Sequence, residues 1–214
     1  MQTHSLPDLG TQVLYIADAY CGWCWGFAPH LAELEAVWHH RLPFRVISGG
    51  LFVGERSAPL KAYPHIPEAN ENITKVTGAQ FGRDYQALLV EGTFRLDSFD
   101  AARGLAGLRT QAPERGLHLL HCMQQAFYLE GQSLSAPDTY RRIAEAEGLD
   151  ADRAADYLVN DEGRQAAEAD FQLARSLGAN TYPTLVLLKD GKARRLPATG
   201  TSLSAFNSAL DSLL

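Results

Sequence analysis

The segment "VLYIADAYCGWCWGFAPHLAELEAVW", residues 13–38, constrains this chain most tightly, because two different periodicities meet there within a few residues. Residues 13–19 form a short apolar run with β-branched and aromatic members, the pattern of a buried strand. From Trp23 onward Phe27, Leu31, Leu34 and Trp38 recur at helical spacing. "FRVISGGLF" follows, predicting a second strand over residues 44–48 that Gly49-Gly50 closes. Strand, helix, strand is the βαβ unit of a sheet with parallel strands. Cys21 and Cys24 sit at the first strand-to-helix junction.

The rest of the chain adds helices and then returns to sheet. Helical patterns dominate from about residue 60 to 177. Ser98 is a candidate N-cap for "FDAARGLAGL", and Pro113 suits the first turn before "ERGLHLLHCMQQAFYL", which Gly131 ends. Pro137 opens "DTYRRIAEAEG", Asp150 caps the next short helix, and a long helix runs from about residue 162 to Gly178. Pro64, Pro67, Gly78 and Gly82 break up residues 63–92 into expected short helices and loops. "TLVLL", the turn "KDG" and "KARRLPAT" then predict two antiparallel strands, and Leu203, Phe206, Leu210 and Leu213 mark a final amphipathic helix. The expected fold class is α/β: a mixed sheet built from residues 1–59 and 178–214, carrying a large all-helical insertion over residues 60–177.

Composition narrows the function classes. With 46% apolar and 21% charged residues this is an ordinary globular composition, and the formal charge of -6 makes no case for nucleic acid or an anionic membrane surface. No apolar run approaches the roughly 18 residues that would span a bilayer. "MQTHSLPDLGTQ" lacks the basic start and apolar core of a secretory signal, so the expected compartment is a reducing cytoplasm. Three cysteines, Cys21, Cys24 and Cys122, are too few for a disulfide scaffold, and a vicinal pair in that setting does chemistry or binds metal.

At a helix start, Cys21 meets the unpaired N–H groups of the first turn and the positive end of the helix dipole. Both favour the thiolate, the form that attacks a disulfide. Cys24, one turn inward, is placed to close a disulfide with Cys21 and release a mixed disulfide. Gly22 permits a tight start and Trp23 sits at the rim as an apolar contact. A structural metal needs about four ligands; there is no second C-x-x-C, and His30, His39, His40, His118 and His121 stand at no zinc spacing from the pair, so no metal is expected. Two inert core cysteines are the remaining alternative. Cys122 reads as a plain buried residue in the middle of a helix. Trp25, Phe27 and Trp38 read as core, and Pro29 as a kink within the first helix. "GANTYPTLVLL" sets Pro183 immediately before a strand, where its missing N–H costs least, and leaves a trans or a cis Tyr182–Pro183 bond open.

On "CGWCWGFAP", "SGGL", "HCMQQAFYLEGQSLSAPDTYRRIAEAEGLD" and "ADFQLARSLGANTYPTLVLLKDG", the chain resembles the DsbA-type thioredoxin-fold proteins, in particular their cytoplasmic FrnE-like dithiol–disulfide oxidoreductase and isomerase branch. The resemblance covers nearly the whole chain. It implies Cys21 as nucleophile, Cys24 as its partner, and a cis Tyr182–Pro183 turn facing them where an extended substrate binds. It also matches Pro29 to the helix-kinking proline of thioredoxins. No bound cofactor is expected, with glutathione or a thioredoxin-like protein as redox co-substrate, protein or small-molecule thiols and disulfides as partners, and a monomer or homodimer. Two positions depart from the family pattern. Tyr15 stands six before Cys21, where those families often place a buried acid, and Asp18 is not assumed to replace it. Gly22-Trp23 differs from the Pro-His and Gly-Pro dipeptides of the best-known members, which leaves the direction of electron flow open. Two further expectations stand beside a thiol–disulfide oxidoreductase. One is a glutathione-dependent transferase or isomerase of the kappa and hydroxychromene-carboxylate type. The other is a non-enzymatic adaptor or chaperone with an incidental dithiol.

Overall fold

The computed structural model describes residues 10–214. The first nine residues, which carry most of the reading of the leader, lie outside the described residues. A four-stranded mixed sheet has the order β2-β1-β3-β4. Its strands are β1 (Gln12–Ala17), β2 (Phe44–Ser48), β3 (Thr184–Lys189) and β4 (Lys192–Leu196). β1 and β2 run parallel, as their helical crossover requires, and β3 is antiparallel to both β1 and β4. Asp190 and Gly191, both with positive φ, make the two-residue turn between β3 and β4.

β1 is apolar throughout because both of its faces are covered. Val13, Tyr15 and Ala17 join the main core with Phe27, Leu31 and Leu34 of α1 (Gly22–Trp38), while Leu14 and Ile16 pack on the other face with Ala174 of α8 (Asp161–Ser176), Val186 and Leu188. Burying each such aliphatic side chain contributes roughly 1.5–3 kcal/mol relative to leaving it exposed. β4 is the edge strand, and its exposed Lys192, Arg194 and Arg195 discourage pairing with another chain.

Between β2 and β3 the chain forms α2 (Ile66–Thr77), α3 (Arg83–Glu91), α4 (Ser98–Arg109), α5 (Gly116–Tyr128), α6 (Pro137–Ala146), α7 (Ala151–Asp156) and α8, and α9 (Leu203–Asp211) closes the sequence. Residues 63–92 are more regular than their prolines suggest. Pro67 lies in the first turn of α2, and Gly78 and Gly92 end α2 and α3 in the left-handed conformation. The cap of α4 is Asp97 rather than Ser98: the Asp97 carboxylate accepts the N–H groups of Phe99 and Asp100, which frees the Ser98 hydroxyl for another task. Asp150 caps α7 as expected, accepting the Arg153 N–H.

The helices are not an independent layer. The largest apolar cluster runs from Tyr15, Cys24 and Phe27 through Leu119, Met123 and Phe127 of α5 to Tyr140 of α6. On the other face Arg109 donates to the Val46 carbonyl at 2.8 Å and to the Asp170 carboxylate at 2.8 Å, and Asp170 accepts the Ser48 N–H at 2.8 Å. That buried ion pair ties α4 and α8 to β2. Among the described residues no helix is long and apolar enough to cross a membrane.

Candidate functional site

β1 ends at Ala17 and α1 begins at Gly22, so the short turn through Asp18 decides where the first cysteine points. Cys21 is the N-cap of α1, with extended backbone dihedrals, and its Sγ accepts the Cys24 N–H at 3.3 Å. The usual oxygen of a capping side chain is replaced by sulfur. The Cys21 N–H donates to the Asp18 carbonyl at 3.1 Å and its carbonyl accepts the Trp25 N–H at 3.0 Å, so the residue is fixed on both sides. Both thiols are free. Cys21 retains 6% of its surface, whereas Cys24 has none. Burial, followed by the hydrogen bond and charge of Cys21, pushes the Cys24 thiol well up.

Opposite Cys21 stands the turn before β3. The Tyr182–Pro183 bond is cis, and the Cys21 thiol donates to the Tyr182 carbonyl at 3.6 Å. The residues are 161 positions apart in sequence. A groove of about 430 Å³ runs past this turn, lined by Trp23, Thr181, Tyr182, Pro183 and Arg195. On the other side of Cys21 lies a smaller, mostly apolar cleft of about 130 Å³ under the inserted helices, with Trp23, Leu51, Phe52, Asn70, Tyr85 and Tyr128 among its lining. Trp23 lines both recesses and is half-buried.

Gly22 has a different use from the one the sequence suggests. It is not in the left-handed region. A Cβ there would lie 2.8 Å from Ile73 Cδ1 of α2, and one at Gly26 would lie 2.7 Å from Thr77 Oγ1. The missing side chains let α2 pack directly on the first turns of α1. Trp25 is core, stacked between His121 and Tyr128 with ring centroids 5.2 and 5.8 Å away, and its indole N–H donates to the Gln80 carbonyl at 3.0 Å. Pro29 lies within α1, which continues through it to Trp38.

Three features of the site were not anticipated. The first is Asp18, which is buried and acts as a hub. Its carboxylate accepts the N–H groups of Tyr20 at 3.0 Å and Leu51 at 2.7 Å and the Ser98 hydroxyl at 3.0 Å. Ser98 in turn accepts the Phe52 N–H at 2.9 Å. The turn carrying Cys21, the loop after β2 and the start of α4 are thereby held together. Burial raises the Asp18 carboxyl above its ordinary range against the opposing pull of these donors. An acidic residue close before the cysteines was visible in the sequence, but its partners, up to 80 positions away, were not.

The second is the environment behind Cys24. Tyr15 is fully buried; its hydroxyl interacts with Cys24 but has no hydrogen bond of ordinary geometry. Burial, then the nearby cysteines, keeps that phenol protonated. It borders a cavity of about 330 Å³ that also meets Pro29, Glu35, His118, His121 and Gln124. Nδ1 of His121 and Nε2 of Gln124 are likewise buried without a partner.

The third concerns Cys122, which is not a plain core residue. It is half-buried on the polar edge of α5, with Sγ 3.6 Å from Nε2 of His118 and 3.5 Å from Oε1 of Glu147 at the end of α6. Burial, then the facing carboxylate, pushes this thiol up to about 12, so it is a poor nucleophile. The apolar residues of α5 obscured the fact that His118 and Cys122, four apart, share its outer face.

Comparison with known proteins places the fold in a known family. A family profile described as the DSBA-like thioredoxin domain matches residues 12–211. A candidate protein disulfide isomerase from Nitrosomonas europaea shares the fold with a TM-score of 0.79 at 22% identity, over 95% of this chain and 97% of that one. The cytosolic disulfide reductase DsbM from Pseudomonas aeruginosa is similar with a TM-score of 0.77 at 26% identity, over 94% and 96% of the two chains, and has also been solved with GSH. The ClpXP adapter protein SpxH of Shouchella clausii is 22% identical over 182 residues, 84% of this chain. The chain spans only 58% of the length of that relative.

Proposed function

Because the chain belongs to the DSBA-like thioredoxin domain family, we propose that it is a thiol–disulfide oxidoreductase working through a Cys21–Cys24 dithiol/disulfide cycle. The observation that carries this reading is the position of Cys21: a nearly buried sulfur at the N-cap of α1, receiving the Cys24 N–H and facing the Tyr182 carbonyl. A helix N-terminus and a directed N–H both stabilise negative charge on sulfur. In the reducing direction the Cys21 thiolate attacks one sulfur of a substrate disulfide. A Cys21–substrate mixed disulfide forms, and the other substrate sulfur leaves as thiolate. Cys24 then gives up its proton and attacks the Cys21 sulfur, so the Cys21–Cys24 bond forms and the second substrate sulfur leaves. The substrate gains two electrons and two protons, and a thiol donor must return them to the protein. The same steps run backward oxidise a substrate dithiol.

Forming the mixed disulfide also helps the second step. Two of the influences that hold the proton on Cys24 are the hydrogen bond and charge of Cys21, and both disappear once Cys21 is bonded to substrate. Substrate chains are read as lying across Trp23, Tyr182 and Pro183, with Gly22, Trp25 and Pro29 shaping the site from within α1. The returning thiol is assigned to glutathione or a thioredoxin-like protein. In support, the groove beside Pro183 holds the cation of Arg195, a fit for a small carboxylate-bearing thiol, and DsbM has been solved with GSH. No cofactor is required by these steps. Residues 60–177 are read as a helical lobe that limits access to Cys21, and the compartment as cytoplasmic, like that of DsbM.

A second reading makes the protein an adaptor, and the likeness to SpxH favours keeping it. One experiment separates the two. Cys24→Ser should accumulate covalent adducts from a lysate that dithiothreitol releases, and Cys21→Ser should abolish both these adducts and insulin reduction. Partner binding that survives replacement of both cysteines, with no reducible adducts, would instead support the adaptor.

A further inference from the structure

We propose that His118, Cys122 and Glu147 form a binding site for a divalent metal ion of the zinc class, separate from the Cys21–Cys24 pair. One residue of each ligand type is supplied: imidazole nitrogen, sulfur and carboxylate oxygen. The three ligand atoms all lie within 4.8 Å of one another. Tetrahedral zinc with Zn–S of about 2.3 Å and Zn–N or Zn–O of about 2.0–2.1 Å sets ligand-to-ligand edges of roughly 3.5 Å for S···N and S···O. The corresponding distances here are 3.6 Å from Cys122 Sγ to His118 Nε2 and 3.5 Å to Glu147 Oε1. Glu147 meets the sulfur through Oε1 and the imidazole through Oε2, whose 2.9 Å contact with His118 Nε2 is a hydrogen bond that a metal held by one of these oxygens would replace after a small turn of the carboxylate.

The scaffold suits the task. His118 and Cys122 are four residues apart on α5, so their side chains rise from the same face one turn apart. Glu147 comes from the residue that ends α6, whose backbone carbonyl accepts a hydrogen bond from Arg115 at 3.0 Å. Arg115 also bonds the Glu147 carboxylate through Nη2. Ligating carboxylates usually carry such an outer hydrogen bond, which orients them. The positive charge beside the ligands also weakens their pull on a cation. Cys122 and Glu147 also line a cleft of about 300 Å³ with Gln125, Glu130 and Arg142, from which water can complete the coordination. On binding, the Cys122 thiol releases its proton to solvent and sulfur bonds the metal, with no change of oxidation state. The soft thiolate selects zinc-class ions over magnesium and calcium.

Cobalt(II) tests this directly, because thiolate ligation produces a charge-transfer band in the near ultraviolet. In the Cys21→Ser/Cys24→Ser chain, Cys122 is the sole remaining thiol, so the band reports on it alone. One cobalt per chain should give the band, zinc should displace it, and zinc should raise the melting temperature. Adding Cys122→Ala should remove the band and the thermal shift, while His118→Ala and Glu147→Gln should each weaken binding at least tenfold. The wild-type chain with its Cys21–Cys24 pair oxidised provides the same readout without substitutions near α1. Absence of the band from a folded chain at millimolar cobalt would overturn the proposal. So would a band indifferent to both His118→Ala and Glu147→Gln.

Discussion

The Tyr182 hydroxyl donates to the Gly49 carbonyl at 2.6 Å, and a Cβ on Gly49 would lie 2.2 Å from the Tyr182 ring. The loop after β2 and the turn before β3 are therefore seated on one another without room for a methyl group. Gly49 also donates its N–H to the Ala17 carbonyl at 2.7 Å, at the end of the strand that leads to Cys21. The position of the Tyr182 carbonyl over Cys21 is thus set from the far side of its own ring.

Gly49→Ala must push that ring away, and the Tyr182 carbonyl moves with it. Misplacement by about 1 Å at a reacting centre costs on the order of 10²-fold in rate. The expected outcome is a fall of that size in kcat/KM for insulin disulfide reduction. Tyr182→Phe, which keeps the ring and loses only one hydrogen bond worth about 0.5–1.5 kcal/mol, should remain active. Wild-type turnover in Gly49→Ala would show that the contact does not position the site.

Arg109→Met should be among the most damaging substitutions far from the cysteines. It leaves Asp170, 3% exposed, without its cation and strips a donor from the Val46 carbonyl. Breaking one side of a buried pair costs about 3–5 kcal/mol. Urea unfolding should give a lower midpoint with an unchanged slope, and a loss under 1 kcal/mol would contradict the role assigned to the pair.

How much of this was legible in the sequence follows from the range of each interaction. β1, α1, β2 and the two C-terminal strands show themselves through local periodicity, and the cysteines through their place at a strand-to-helix junction. That the sheet is mixed follows from the short turn between the two C-terminal strands, whereas the strand order does not. Asp97 took the cap assigned to Ser98 because Ser98 is held by Asp18 and Phe52, contacts between segments 46 and 80 residues apart that no local pattern encodes. Gly22 and Gly49 look alike in sequence as turn residues. In the structure each accommodates a neighbour, Ile73 and Tyr182, brought from elsewhere in the chain. Cys122 reads as core from sequence because its apolar neighbours on α5 dominate the pattern, whereas its own side faces Glu147.

The resolving step should quicken with pH. Burial holds the Cys24 proton above the ordinary thiol range, so below that point its thiolate fraction grows about tenfold per pH unit. A mixed disulfide preformed on Cys21 with a small chromogenic thiol, followed by stopped flow, should decay with a log-rate slope near one from pH 6 to 8. A flat profile over that range would mean Cys24 is already deprotonated in the mixed disulfide.

Tyr15→Phe separates stability from chemistry at the same thiol. The buried hydroxyl makes no hydrogen bond of ordinary geometry, and an unsatisfied buried hydroxyl costs about 1–3 kcal/mol, so its removal should leave the melting temperature unchanged or higher. The phenol, kept protonated by burial, is nevertheless placed to donate to Cys24 when that sulfur becomes charged. A hydrogen bond to a charged group is worth about 1.5–3 kcal/mol, and each 1.36 kcal/mol is tenfold in rate. Decay of the mixed disulfide should therefore slow by about tenfold or more in Tyr15→Phe, while formation of that mixed disulfide by Cys21 changes little. Equal slowing of both steps would place the hydroxyl's influence on the fold of the site as a whole, not on Cys24.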